Sequence, residues 1–148
     1  MFVRSLAATL LLSCSALAQP APVLQGSWTA SAGPSQAFRG TWSAVVSPGA
    51  RNAARGSWTL LNPANQIVLR GEWSAQKGAL GWRGTWSARI LTGRSSPGRA
   101  FSGTWQAEVT VANDQTLAAM LQRAVEKEVA GSWHIGPRAG RWSLKSLQ

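Results

Sequence analysis

The sequence predicts an all-β protein, an eight-stranded antiparallel up-and-down barrel (a meander) with one amphipathic helix between strands 6 and 7. First, a Gly-x-Trp phrase occurs eight times and contains eight of the nine tryptophans. Second, apolar and polar residues alternate around each copy, and glycine, proline or asparagine lies midway between most successive copies. The copies begin at Gly26, Gly40, Gly56, Gly71, Gly84, Gly103, Gly131 and Gly140.

Residues 1–18 have the organisation of a secretory signal peptide. Arg4 is followed by an apolar run over residues 6–12 that is too short to span a bilayer, and residues 16–18 form a small-x-small cleavage site. We therefore expect cleavage near Ala18–Gln19, a periplasmic or secreted location, and one domain over residues 19–148. The only cysteine, Cys14, ends a segment that resembles a lipobox, so a lipoprotein anchored through Cys14 is an alternative.

The predicted strands follow from the alternation. The residues two before each glycine and two after each tryptophan are mostly apolar, and with the Gly and Trp they form one face of the strand. The intervening residues are mostly Ser, Thr and Arg and form the other face, as in a half-buried antiparallel sheet. The strands are predicted at 23–31, 36–46, 53–61, 66–75, 80–91, 99–111, 129–135 and 139–147.

Six of the seven connections are predicted to be hairpins, since turn-forming residues such as Gly33-Pro34-Ser35 lie between the copies. Pairing copy to copy would place each glycine opposite the tryptophan of the neighbouring strand, where the indole can cover the glycine backbone. Because strand direction alternates, we expect two tiers of tryptophans inside a closed barrel.

The seventh connection differs from the others. Residues 114–128 contain neither Gly nor Pro, begin with the N-cap residue Asp114, and carry an apolar stripe that includes Leu117, Met120 and Leu121. The sequence therefore predicts a helix over about 114–128. We expect it to pack across a barrel mouth or wall, with partner or membrane binding as the alternative.

A secreted eight-stranded meander built from Gly-x-Trp phrases resembles the calycin group, which includes the lipocalins and the avidins. The segment Val68-Leu69-Arg70-Gly71-Glu72-Trp73-Ser74-Ala75 is similar to the phrase that recurs in avidins. The resemblance implies a barrel open at one end with room for a small ligand. The set of polar residues with which avidins bind biotin has no match here, and the helix before the last two strands departs from their pattern.

A ligand pocket is expected where the repeat departs from its own pattern. Trp82 takes a position that holds Phe or Leu in other copies, and it shares a strand and a face with Trp86. Eight indoles would occupy much of an eight-stranded barrel, so we expect most of the others to act in packing. The candidate ligand-binding residues are Trp82, Trp86, Phe38, Phe101 and Arg138, the last as a cation–π or anion-binding group.

Arginine precedes the glycine in four consecutive strands and is predicted to face outward there. Strand direction divides these arginines into two rows, Arg39 with Arg70 and Arg55 with Arg83. With a formal net charge of +10, such a wall suits an anionic envelope polymer or an acidic protein surface. Nucleic acid is a poor candidate because the wall lacks aromatic residues for base stacking and the chain is predicted to be exported.

The residue inventory indicates a protein that is not an enzyme and that needs no metal and no cofactor. His134 is the only histidine and is predicted to lie on the outer face. We find no Cys/His cluster with metal-ligand spacing, and Glu72 is expected to pair with a neighbouring arginine. General acid–base catalysis needs a titratable group with a partner, which this pattern does not supply.

Two functions remain in competition. The first is a secreted or periplasmic barrel that binds a small apolar or aromatic ligand. The second is an interaction or structural barrel whose basic outer face binds a protein, as inhibitor barrels do, or an anionic polymer. A small outer-membrane barrel is a minor alternative, disfavoured because its inner face would be crowded with arginine. The ligand, the partner and the oligomeric state are left open by the sequence.

Overall fold

The structure is a computed structural model that describes residues 23–45, 52–92, 97–108, 116, 119–120 and 129–146. The predicted signal peptide lies outside these residues. Eight strands close into a barrel in which each strand pairs antiparallel with its neighbours in sequence and β8 pairs with β1. Their bounds are β1 Val23–Ala32, β2 Gln36–Val45, β3 Ala53–Leu61, β4 Ile67–Gly78, β5 Gly81–Ile90, β6 Ala100–Ala107, β7 Val129–Ile135 and β8 Arg138–Ser146. The predicted all-β meander is confirmed.

Where the structure describes them, the predicted turns connect the strands. At the β1–β2 turn, Gly33 has a φ of 68°, and at the β7–β8 turn, Gly136 has a φ of 52°. Both lie in the left-handed region, which glycine enters at little cost. The repeat thus alternates strand and turn as its spacing indicates.

The predicted copy-to-copy register is observed at every second strand pair only. Between β1 and β2, Gly26 lies opposite Trp42 and Trp28 opposite Gly40, as copy-to-copy pairing requires, and β3–β4, β5–β6 and β7–β8 follow the same rule. Between β2 and β3, however, Trp42 lies opposite Trp58, and β4–β5 and β6–β7 are offset in the same way. The uniform copy-to-copy register is therefore wrong at these pairs. The reason for the offset is that strands closing a barrel must tilt and shift along one another. In this barrel the shift occurs at every second strand pair.

The two ends of the barrel differ. At one end, here called the open end, the turns after β1, β3, β5 and β7 connect the strands. At the other, the closed end, the small residues Ala44, Ala75 and Ala107 are buried with Trp82 and Met120 in one cluster. Met120 comes from the β6–β7 connection and is only 2% exposed. This connection therefore contributes an apolar residue to the core at the closed end.

The predicted helix over 114–128 lies for the most part outside the described residues. Within it, the Met120 amide donates to the Thr116 carbonyl at 3.1 Å, and the Ala119 amide donates to Thr116 Oγ1 at 3.1 Å. These two bonds suit the first turn of a helix, and the helix itself stays a prediction. Among the described residues, no helix has the length and apolar character needed to cross a membrane.

Candidate ligand-binding cavity

The tryptophans of the repeat are held against the barrel wall by glycines and backbone carbonyls of neighbouring strands. Trp28 of β1 lies over Gly40 of β2, where a Cβ would collide with the indole and with the Thr59 carbonyl of β3. The indole Nε1–H of Trp28 donates to that Thr59 carbonyl at 2.9 Å and to the Thr41 carbonyl at 3.1 Å. The ring thus crosses its neighbouring strand and bonds to the strand beyond, which ties three strands together.

The same contact recurs around the barrel. Seven repeat glycines lie under a tryptophan of the neighbouring strand in this way. The bonds that reach the strand beyond run from Trp58 to the Ser87 carbonyl (3.0 Å), from Trp73 to Ser43 (3.1 Å), from Trp105 to Ser74 (2.9 Å) and from Trp133 to Ser31 (3.2 Å). A buried indole N–H needs an acceptor, and here the backbone of the wall supplies it. The polar edge of each ring therefore faces the wall, and its apolar surface faces the interior.

The indoles form two tiers, as predicted. In the first tier the ring centroids of Trp28 and Trp58 are 5.5 Å apart, and Trp86 follows at 6.0 Å from Trp58 and 6.5 Å from Trp133. In the second tier Trp105 lies 6.3 Å from Trp73 and 5.7 Å from Trp142. All these pairs are T-shaped, the edge-to-face arrangement that indole electrostatics favour. In both tiers the indoles contact one another edge to face along the wall rather than stacking across the centre.

The barrel therefore encloses a cavity of about 860 Å³ instead of a solid core. All eight tryptophans of the repeat line this cavity, where packing had been expected for most of them. Aliphatic side chains from several strands complete the wall, among them Leu60, Leu69, Ile90, Ile135 and Leu144. The structure shows that the indoles occupy the wall because their N–H groups are bonded to it, which leaves the centre of the barrel free.

The polar groups of the lining are at the open end. Gln36, Arg99 and Arg138 line the cavity and are exposed to solvent, so the cavity reaches the surface there. These three residues stand at or just before the first residues of β2, β6 and β8. At the closed end the lining includes Met120 and no charged side chain of the described residues.

Four of the five predicted pocket residues come together in this cavity. Phe38, Trp86, Phe101 and Arg138 all line it, and the rings of Trp86 and Phe101 are 5.8 Å apart. Trp82 does not line it. This side chain is 1% exposed in the cluster of the closed end, and its Nε1 has no hydrogen-bond partner among the described residues.

The misplacement of Trp82 has a geometric cause. Trp82 and Trp86 share a face of β5, but four residues along a strand separate them by about 13 Å. Trp82 consequently lies beyond the tiers, at the closed end, in one cluster with Met120. The sequence reasoning also missed Arg99 and Gln36. Their positions in the sequence could have identified them. Gln36 and Arg99 each stand two residues before a predicted pocket phenylalanine, and residues two apart share a face of a strand.

The four outer arginines are exposed as predicted and lie on four consecutive strands, β2 to β5. Arg39 donates to the Pro63 carbonyl at 3.3 Å, which attaches it to the β3–β4 turn. Arg70 lies directly opposite Arg89 of β5. The ion pair predicted for Glu72 is absent from the described residues, because Ser57 and Ser87 are its cross-strand neighbours.

Among the described residues, an ion pair joins the closed end to the last strand. Arg141 donates to Glu108 through two nitrogens, with Nη2 at 2.7 Å from Oε2. His134 is exposed on the outer face. Within the described ranges, no group of three His, Cys, Asp or Glu side chains is placed to hold a metal ion.

The fold and the cavity define the chain's structural class: a closed eight-stranded antiparallel barrel, compatible with a calycin-like fold, with a tryptophan-lined interior. Comparisons with protein-family models, with curated proteins and with solved structures found no match.

Proposed function

We propose that this protein is a non-enzymatic binding barrel, located in the periplasm or secreted, that holds a small apolar or aromatic ligand. The observation that carries the proposal is the wall-bound arrangement of the eight indoles around about 860 Å³ of interior space. That volume lies within the roughly 300–1,000 Å³ typical of small-molecule sites. The resemblance to avidins and lipocalins implies a ligand in the same place, inside the barrel.

The chemistry of the lining supports an apolar occupant. The indole N–H groups of Trp58, Trp73 and Trp105 already donate to backbone carbonyls, so they are not available to a ligand. What these rings present to the interior is apolar surface, which favours aliphatic or aromatic groups through burial and edge-to-face contact. Rings that are already bonded to the wall lose little freedom when a ligand binds, which lowers the entropy cost of binding.

The experiment uses phenylnaphthylamine, a neutral aromatic probe that fluoresces strongly in apolar surroundings. We expect the wild-type chain to bind it at one site and to transfer excitation to it from tryptophan. Ala30→Trp adds a ring inside the cavity, since Ala30 lines it, and should weaken binding at least tenfold. The matched control is Ala37→Trp, which adds the same ring on the exposed outer side of β2 and should leave affinity within twofold.

Two results would contradict the proposal. One is that the folded wild-type chain does not bind the probe. The other is that Ala30→Trp and Ala37→Trp bind it equally, which would place the probe on the outer surface. Near-ultraviolet circular dichroism of both variants shows whether the tryptophan tiers are intact.

A specific observation favours a second candidate, a basic outer face that binds an anionic polymer. Arg70 and Arg89 lie opposite each other on paired strands, and like charges in that position cost about 0.2–1 kcal/mol. A polyanion lying across both strands would turn this repulsion into attraction. Replacing both arginines by glutamine should then lower the salt concentration at which the protein leaves an anionic polysaccharide column. If the double variant elutes with Arg55→Gln/Arg83→Gln, this face has no special role.

The outer-membrane alternative needs the opposite arrangement of faces. A membrane barrel carries an apolar outer band, whereas here the side chains between Gly and Trp, such as Ser27, Thr41 and Thr85, are exposed. This supports a barrel that works in water.

A further inference from the structure

The open end of the cavity is basic, and acidic residues are absent from the connections around it. Four connections lie at that end: residues 33–35, 62–66, 91–99 and 136–137. They contain no Asp or Glu, and they contain the arginines Arg94 and Arg99. The five acidic residues of the chain lie elsewhere: Glu72 in the middle of β4, Glu108 just after β6, and Asp114, Glu126 and Glu128 in the β6–β7 connection. The connections around the cavity mouth are therefore basic, and the acidic residues of the chain lie away from them.

Two arginines of this mouth belong to the cavity lining. Arg138 shares the inward face of β8 with Gly140 and Trp142. Arg99, just before β6, stands two residues before the inward-facing Phe101 and lines the same cavity. Because neighbouring residues of a strand face opposite sides, both arginines are on the inward side, which is mostly apolar in the repeat. An uncompensated guanidinium beside apolar walls is unfavourable unless an anion or water accompanies it.

Nothing in the described part of the chain neutralises these two guanidinium groups. Neither Arg99 nor Arg138 makes a side-chain hydrogen bond or an ion pair there, whereas Arg39 and Arg141 both have acceptors. The two residues come from different hairpins and line one cavity, with the amide of Gln36 on a third hairpin. Unpaired guanidinium donors at the mouth of an apolar cavity are arranged to take an anionic head group.

We propose that the ligand of this cavity is an amphipathic anion: an apolar chain or ring system inside the barrel, with a carboxylate or sulfonate head at Arg99 and Arg138. This inference rests on the proposed function and adds the charge and the orientation of the ligand. The apolar body lies among the tryptophan tiers and the head points to the open end. The positive mouth also attracts such a ligand before it enters, an effect that falls with ionic strength.

The test uses two probes that differ by one group. Anilinonaphthalene sulfonate has the ring system of phenylnaphthylamine plus a sulfonate, so the ratio of their two affinities isolates the anionic head. We expect Arg99→Gln/Arg138→Gln to weaken binding of the sulfonate at least fivefold relative to wild type and to change binding of the neutral probe less than twofold. The control Arg55→Gln/Arg83→Gln removes the same charge from the outer face and should leave the ratio unchanged.

The outcomes separate this inference from the proposed function. If neither probe enters the cavity, the binding function itself fails. If the neutral probe binds and the mouth variant leaves the affinity ratio unchanged, only the anionic head is refuted. An equal effect of the outer-face control would also refute it, because the sulfonate would then respond to net charge alone. Salt titration of the wild-type chain gives an independent measurement: added salt should weaken the sulfonate probe and leave the neutral probe nearly unaffected.

Discussion

Replacing Gly71 by alanine should destabilise the barrel strongly, because this glycine lies where a ring and a carbonyl meet. A Cβ on Gly71 would lie 2.5 Å from Trp58 Nε1 and 2.6 Å from Trp58 Cε2, and it would collide with the Ser87 carbonyl. The Trp58 indole donates to that same carbonyl at 3.0 Å. The ring and the carbonyl must therefore separate to admit one methyl group.

The expected loss has three contributions. Inserting a methyl group into a packed contact costs about 1–3 kcal/mol. Breaking the Trp58–Ser87 hydrogen bond costs about 1 kcal/mol. Displacing the edge-to-face contact between Trp58 and Trp28, now at 5.5 Å, costs about 0.5–1.5 kcal/mol. A total of roughly 2.5–5.5 kcal/mol is a large part of the 5–15 kcal/mol that stabilises an ordinary domain.

The matched control lies in the same strand. At Gly78 a Cβ would have Arg83 Nε and the Gly81 carbonyl as its nearest atoms, both at an ordinary 3.7 Å. Gly78→Ala should therefore change the free energy of unfolding by less than about 1 kcal/mol and can stabilise the protein by restricting the unfolded chain.

The measurement is urea unfolding, monitored by tryptophan fluorescence and far-ultraviolet circular dichroism. The urea concentration at the midpoint is compared between variants, provided that their m values are equal. Gly71→Ala should have a clearly lower midpoint than wild type and Gly78→Ala should not. If both variants unfold within about 1 kcal/mol of each other, the glycines are not required by the indoles, and our explanation of the repeat is refuted.

Three further predictions concern ring nitrogens and outer charges. Replacing the indole of Trp58 by benzothiophene removes the donor to Ser87 at constant ring volume and should cost about 1 kcal/mol in urea unfolding. The same replacement at Trp82 removes a buried donor without a described partner, so it should leave stability unchanged or raise it; a loss equal to that at Trp58 would contradict this. Arg70→Glu turns the repulsion with Arg89 into attraction and should stabilise the barrel by about 0.2–1 kcal/mol at low salt, an effect that high salt should remove. If the urea midpoint of Arg70→Glu at low salt equals that of the wild-type chain, that prediction is contradicted.

The sequence alone determined the strands, their order and the inward face of each. This was possible because side-chain alternation and turn formation are local properties: Trp42 must share a face with Gly40, and Gly33 permits its turn, wherever the strands lie. Local pattern also placed Phe38 and Phe101 on the interior, and both line the cavity.

Only the tertiary structure decided whether the barrel is solid or hollow, and which end is open. The interior width follows from the stagger that accumulates as β8 closes on β1, and a repeat that is the same in every strand carries no record of it. The indoles leave the centre free because Nε1–H groups such as that of Trp28 bond to the strand beyond, a partner 31 residues away in the chain. Closure of the barrel also decides which residues of other strands surround Trp82 at the closed end, and it brings Arg99 and Arg138, from two different hairpins, to one cavity mouth.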